Sequence, residues 1–281
     1  MTYKIFDPRA CSLGEGPLWH PSRKQLFWFD IIEKKLLTRD ETGPIEWSFD
    51  EHVSAAGWID NDRLLMASQT GLWQFDIRSG ERWHVVDIEA DQSITRSNDG
   101  RADPWGGFWI GTMGIESQPY AGSIYRYFRG ELRKVVDKVT VSNSITFSPD
   151  RAVAYFTDTW SSQIMQVPLA TQDGWPAGSP EVFVDLTQDK LNPDGSVVDS
   201  TGCLWNAQWG AGRVAQYGPD GRLIKAHELP ASQVTCPAFG GSDLKTVFVT
   251  SAAKGLDGAL DGQTFQFDAT VSGQFEHRVI L

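Results

Sequence analysis

Six short aromatic or aliphatic segments recur along the chain. They are LFWFDI from residue 26, LLMASQ from 64, FWIGTM from 108, AYFTDT from 154, LWNAQW from 204 and VFVTSA from 247, so successive starts lie 38, 44, 46, 50 and 43 residues apart. A second strand-like run follows each one: KKLLTRD, GLWQFDI, GSIYRYF, SQIMQVP, GRVAQYG and GQTFQFD. Turn sequences such as HPSRKQ, DNDR, SPDRA and DSTG precede the first run. Their Gly, Pro, Asp and Asn residues supply the backbone angles that tight hairpins need. No segment keeps a long apolar period of 3.6 residues. A repeat of roughly 40–50 residues carrying about four short strands is the signature of a β-propeller. The expected fold is therefore all-β, a six-bladed β-propeller, with residues 1–281 forming one domain. Ring closure is expected from KIFD (4–7) pairing with HRVIL (277–281), which would hide two sheet edges. The competing architecture is a sandwich or a pair of small β domains, but no linker-like composition divides the chain.

Composition narrows the function. With 25 basic and 36 acidic residues the net charge is −11. No run of Lys and Arg offers the phosphate-binding surface that nucleic acids or anionic membranes require. The N-terminus lacks the apolar core of a secretory leader, and no 18-residue apolar run is present to cross a membrane. Three widely spaced cysteines, Cys11, Cys203 and Cys236, read as reduced thiols of the core or a pocket wall. A cytoplasmic protein, monomeric or homodimeric, is the expectation.

Counting back from the second residue of the strand runs exposes a register. Glu15 lies 12 residues before Phe27, Asn98 lies 11 before Trp109, Asn143 lies 12 before Tyr155, and Asp194 lies 11 before Trp205. Equivalent positions in propeller blades fall on one ring around the central channel. The two remaining repeats place Ser54 and Cys236 near that position, so the ring should be polar on one part and apolar elsewhere, as small-molecule sites are. Two carboxylates and one or two amide carbonyls around one point suit a hard divalent cation. Ligand type alone leaves Ca²⁺, Zn²⁺, Mn²⁺ and Fe²⁺ open. Taken singly, each Asn or Asp beside a turn is more simply a turn-maker. The shared register, and the placement of Glu15 between two glycines, favour the site.

GEGPLWHP (14–21), RSNDGRADPWGGFWIGTM (96–113), SNSITFSPD (142–150), PDGSVVDSTGCLWNAQWGAGRV (193–214) and FGGSDLKTVFVTSA (239–252) together resemble the regucalcin/gluconolactonase (senescence marker protein) family, and within it the bacterial sugar lactonases. The resemblance covers nearly the whole chain. It implies a six-bladed propeller, one divalent metal ion (Ca²⁺ or Zn²⁺ first, Mn²⁺ or Fe²⁺ next), and hydrolysis of a sugar-acid lactone. It carries the metal ligands onto Glu15, Asn143 and Asp194, and the substrate contacts onto Arg96, Asn98 and Glu116. Arg96 and Glu116 follow from the resemblance only. The chain departs from the family in a short loop, KGLDGALDGQTF (254–265), which is expected on the outer rim.

The expected mechanism is metal-assisted attack of water on the lactone carbonyl with Asp194 as general base. The chain has no GxSxG nucleophile elbow. Two rival readings are a phosphotriesterase-like hydrolase using the same metal and a non-catalytic calcium-binding propeller.

Overall fold

A computed structural model describes residues 3–281. The described residues form twenty-four β-strands in six four-stranded antiparallel sheets, with one short 3₁₀ turn at Thr159–Ser161 and no α-helix. The first strand, β1 (Lys4–Asp7), stands apart from its neighbours in sequence. Blade 1 is β2 (Gly14–His20), β3 (Gln25–Asp30), β4 (Lys35–Asp40) and β5 (Gly43–Ser48). Blade 2 is β6 (Val53–Trp58), β7 (Arg63–Ser68), β8 (Gly71–Asp76) and β9 (Arg82–Asp87). Blade 3 is β10 (Thr95–Ala102), β11 (Phe108–Gly114), β12 (Gly122–Phe128) and β13 (Glu131–Val139). Blade 4 is β14 (Ser142–Phe147), β15 (Val153–Asp158), β16 (Gln163–Pro168) and β17 (Glu181–Asp185). Blade 5 is β18 (Asn192–Val198), β19 (Leu204–Trp209), β20 (Arg213–Tyr217) and β21 (Leu223–Glu228). Blade 6 is β22 (Val234–Gly240), β23 (Thr246–Ser251) and β24 (Thr264–Asp268), completed by β1.

The six aromatic runs are the second strand of each blade, and Phe27, Trp109 and Trp205 within them are fully buried between sheets. Each blade buries its faces against its neighbours, so these strands read as continuous apolar runs instead of alternating ones. The outermost strands do alternate, as GPIEWS of β5 shows. The innermost strands β2, β6, β10, β14, β18 and β22 each touch the next, and β22 touches β2. That ring of contacts closes the propeller around its channel.

Closure differs in one respect from the expectation. KIFD pairs with β24, through Lys4–Gln266 and Ile5–Phe265, and HRVIL forms no strand. The segment after β24 instead runs across the far end of the channel. The Gln274 side chain donates to the carbonyls of Phe147 and Val198, Trp58 Nε1 donates to the Glu276 carbonyl, and the amides of Val279 and Ile280 donate to Trp58 and Gly106. Its apolar residues mimic a strand pattern, but Val279 packs into the cluster of blades 2 and 3 while Phe275, Ile280 and Leu281 stay exposed.

Candidate active site

All six innermost strands carry a register irregularity at the same place. It falls between Glu15 and Leu18, Val53 and Ala55, Ser97 and Gly100, Asn143 and Thr146, Pro193 and Ser196, and Val234 and Pro237. A bulge re-aims side chains that a regular strand would send to opposite faces. The alternating spacing of 12 and 11 residues has its origin here. Glu15 and Asn143 are the last paired residues before their bulges, while Asn98 and Asp194 are the first residues inside theirs. All four nevertheless line one cavity of about 300 Å³ at the mouth of the channel. The residue after each of the first two lies in the left-handed region, Gly16 at φ 55° and Ser144 at φ 61°. Gly16 also lies so close to blade 2 that a Cβ there would sit 2.2 Å from the Ser54 carbonyl oxygen.

Three of the expected residues, Arg96, Asn98 and Asn143, are tied together. Arg96 Nη1 donates to Asn98 Oδ1 and to the Ser97 carbonyl, both at 2.8 Å. Asn98 Nδ2 donates to Asn143 Oδ1 at 3.1 Å and to the Ser142 carbonyl at 2.9 Å. Asn143 Nδ2 donates to Thr159 Oγ1, which in turn donates to the Pro193 carbonyl beside Asp194. The amide orientations of Asn98 and Asn143 are thereby fixed, and Asn143 Oδ1 keeps a lone pair free. Glu15 Oε2 accepts from the Gly16 amide at 2.9 Å, and Asp194 Oδ1 is buried with no hydrogen-bond partner among the described residues.

The electrostatics are strained. Burial pushes the Glu15 carboxyl up to about 8, with the charge of Asp99 adding to it. Burial raises Asp194 well above the carboxylate range, and the charges of Glu15 and Asp99 raise it further. Burial lowers the Arg96 guanidinium to about 10, opposed by the neighbouring Glu15. Crowded, desolvated carboxyls hold protons unless a cation lies between them. The donor set and the unpartnered Asp194 oxygen fit a hard divalent ion. Among the described residues no three His, Cys, Asp or Glu side chains are placed to hold a metal, so a cation here depends on the Asn143 amide as its third protein ligand.

Sequence reasoning missed three parts of the site. Asp99 is buried, is pushed up to about 6 by burial, and accepts from the Ile145 amide at 2.6 Å. In NDG it passes for a turn residue. Asn206, in the middle of β19, donates to the Asp194 carbonyl at 3.0 Å and to Ser196 Oγ. A buried Asn inside an apolar run was the available signal. The apolar lining includes Leu13, Met113, Val141, Trp160 and Trp209.

Glu116 does not line the cavity. It is exposed after β11, between Ile115 and Ser117, which do line it. The 254–265 loop is not confined to the outer rim, because Lys254 reaches the cavity mouth. Asp30 and Asp158 are structural: Asp30 accepts from the amides of Ser12 and Leu13, and Asp158 from those of Thr140 and Val141, anchoring the approaches to Glu15 and Asn143. All three cysteines are buried and free. Burial pushes the Cys11 thiol up to about 12 and raises Cys236 as well, which leaves little thiolate for chemistry.

A family model described as the SMP-30/Gluconolactonase/LRE-like region matches residues 13–253. The chain is 37% identical, over 97% of its length and 95% of the other's, to a protein named putative sugar lactone lactonase from Rhizobium meliloti. It is 34% identical to 6-deoxy-6-sulfogluconolactonase from Pseudomonas putida, over 97% of this chain and 96% of that one. Among solved structures, a calcium-binding protein, regucalcin, from Agrobacterium tumefaciens superposes with a TM-score of 0.96 at 38% identity, covering 100% of this chain and 98% of that chain.

Proposed function

Because the chain belongs to the SMP-30/gluconolactonase/LRE-like family, we propose that it hydrolyses the lactone of a sugar acid with one divalent cation held by Glu15, Asn143 and Asp194. The observation that carries this reading is the convergence of these three side chains, from blades 1, 4 and 5, on one cavity, where the Asp194 carboxyl meets that of Glu15 and its Oδ1 is buried without a hydrogen-bond partner among the described residues.

The cation, Ca²⁺ or Zn²⁺ in first place, would supply Lewis acidity at the lactone carbonyl. The protein supplies the remainder. Asp194 Oδ1 accepts a proton from the attacking water as the water oxygen adds to the carbonyl carbon. The ring C–O bond then breaks, and the proton passes to the departing ring oxygen, giving the open hydroxy acid. Asn206 and Ser144 hold the Asp194 backbone from below, the latter through a hydrogen bond to its carbonyl, so the base keeps its aim. Arg96 engages Asn98 and Ser97 through Nη1 alone, leaving its other nitrogens to bind sugar hydroxyls. The apolar wall of Leu13, Met113 and Val141 limits bulk water beside the reacting carbonyl and strengthens these polar contacts. Glu116, on the loop beside the mouth, would meet substrate only at its outer end.

The test is acid release from a panel of aldonolactones, with organophosphates as comparison substrates, by chelated protein resupplied with single metals. Lactone turnover restored by a divalent ion is the expected result. Asp194→Ala should lower kcat by about 10²–10⁴-fold, the scale of a lost general base, with circular dichroism unchanged. Full activity in folded Asp194→Ala protein would overturn the assignment.

A further inference from the structure

The short loop after β23 contributes a feature that the hydrolytic step does not use. Lys254 lines the cavity, is exposed, and makes no hydrogen bond or ion pair with any described residue. Its base is nonetheless fixed: the Ala252 amide donates to Gln233, the Ala253 amide donates to the Cys11 carbonyl at 3.0 Å, and the Leu256 amide closes a turn onto Ala253. The acidic residues nearest in sequence leave it uncompensated. Asp261 folds back to accept from the Gly258 amide, and Asp257 makes no ion pair among the described residues. Arg96, the other cation of the lining, is buried beside Glu15 and bonded to Asn98. An exposed ammonium on the lining of the cavity, with no hydrogen bond or ion pair among the described residues, is free to bind an anion.

We infer that the substrate is a sugar lactone carrying an anionic substituent, such as a carboxylate, sulfonate or phosphate, at the end remote from the lactone carbonyl, and that Lys254 binds it. This rests on the lactonase reading above. The carbonyl occupies the floor, among Glu15, Asn143 and Asp194, and the chain of ring carbons spans outward past Trp209 and Trp160 to the rim. A neutral lactone would leave the ammonium unpaired, whereas an anionic one would form a charge-assisted hydrogen bond in surroundings drier than bulk water.

The experiment compares a neutral six-carbon aldonolactone with its analogues bearing a carboxylate or a phosphate at C6, using wild type, Lys254→Ala and Lys254→Arg. Wild type should favour an anionic lactone, and Lys254→Ala should lose about twofold to fivefold in kcat/KM on it, through KM, the scale of one solvent-exposed ion pair. Lys254→Arg should retain most of the preference, and the neutral lactone should be hydrolysed equally by all three. A wild-type preference for the neutral lactone would overturn the inference while leaving the lactonase reading intact. So would an equal fall in kcat on every lactone in Lys254→Ala, which would mark the lysine as a proton donor to the leaving oxygen. Absence of turnover on all lactones would instead reject the lactonase reading, and the inference with it.

Discussion

Glu15 and Asp194 sit on the channel ring without an internal counter-charge sufficient for both, and this has a consequence in pH. The Glu15 carboxyl, ordinarily near 4.5, stands at about 8 in the folded protein without metal, and Asp194 is raised too. Between those values the folded state holds protons that the unfolded chain has released. The stability these groups contribute is therefore complete below about pH 4.5 and lost as pH rises through about 8. A divalent cation favours the charged forms and should stabilise more strongly as pH rises. Melting of chelated protein at pH near 5 and near 8, with and without added metal, should show the smaller cation effect at the lower pH, and Glu15→Gln should flatten the difference. An equal shift at both values would count against a cation between these carboxyls. At the mouth, Trp160 is 62% exposed on the turn that follows β15 and makes no ring contact with another aromatic among the described residues. A large indole left in water beside a cavity is a surface for the C–H face of a sugar ring. Trp160→Ala should raise KM about fivefold, the scale of one aromatic contact, with kcat unchanged, and Trp160→Phe should recover most of the loss. Steady-state kinetics on the preferred lactone decides it.

The bulged inner strand is the element that makes the site. Its bulge brings side chains from two adjacent strand positions to the same cavity, with a left-handed residue at Gly16 in β2 and Ser144 in β14, and at Gly16 the turn leaves no room for a Cβ against the Ser54 carbonyl. Gly16→Ala should destabilise by at least about 1–3 kcal/mol from backbone strain alone and displace Glu15, so chemical denaturation should show a loss of stability and calorimetry a loss of metal affinity. Ser144 occupies the equivalent conformation in β14 at φ 61° with its hydroxyl bonded to the Asp194 carbonyl and to Ser196 Oγ; there a side chain is needed, and the strain is offset by what it holds. The sequence made the blades legible, because buried aromatic strands recur at a nearly constant interval. It also made Glu15, Asn98, Asn143 and Asp194 legible as a set, because their spacing to those strands is nearly constant. It did not reveal the bulge, which appears in sequence only as a one-residue wobble between spacings of 11 and 12. Asp99 stayed hidden because its neighbours Asn98 and Gly100 make a turn the simpler reading, and Asn206 because its partners, the Asp194 and Gly195 carbonyls and the Ser144 and Ser196 hydroxyls, lie 10 to 62 residues away in sequence.

The closed ring is secured twice, once by β1 adding to blade 6 and once by the segment after β24 crossing the opposite mouth. The second closure reaches blades 2, 3, 4 and 5 through Trp58, Gly106, Phe147 and Val198. Its anchor is Glu276, which forms an ion pair with Arg101 at the far end of the channel, both side chains about nine-tenths buried. Arg101 belongs to β10, three residues beyond Asn98, so the tail bears on the same strand that carries Asn98 and Asp99 into the cavity. Removing one partner of a buried pair leaves the other charge desolvated and unanswered. Glu276→Gln should therefore cost about 3–5 kcal/mol, whereas replacing both residues, Arg101→Met with Glu276→Leu, should cost markedly less, since no charge is left stranded. Guanidinium unfolding of Glu276→Gln and of the double variant measures this directly. If the pair serves the ring and not only itself, Glu276→Gln should also loosen β10 as seen by amide exchange at Asn98 and Asp99, two strand positions that share no hydrogen bond or ion pair with the mutated side chain. Protection there equal to wild type would confine the tail's role to sealing the channel.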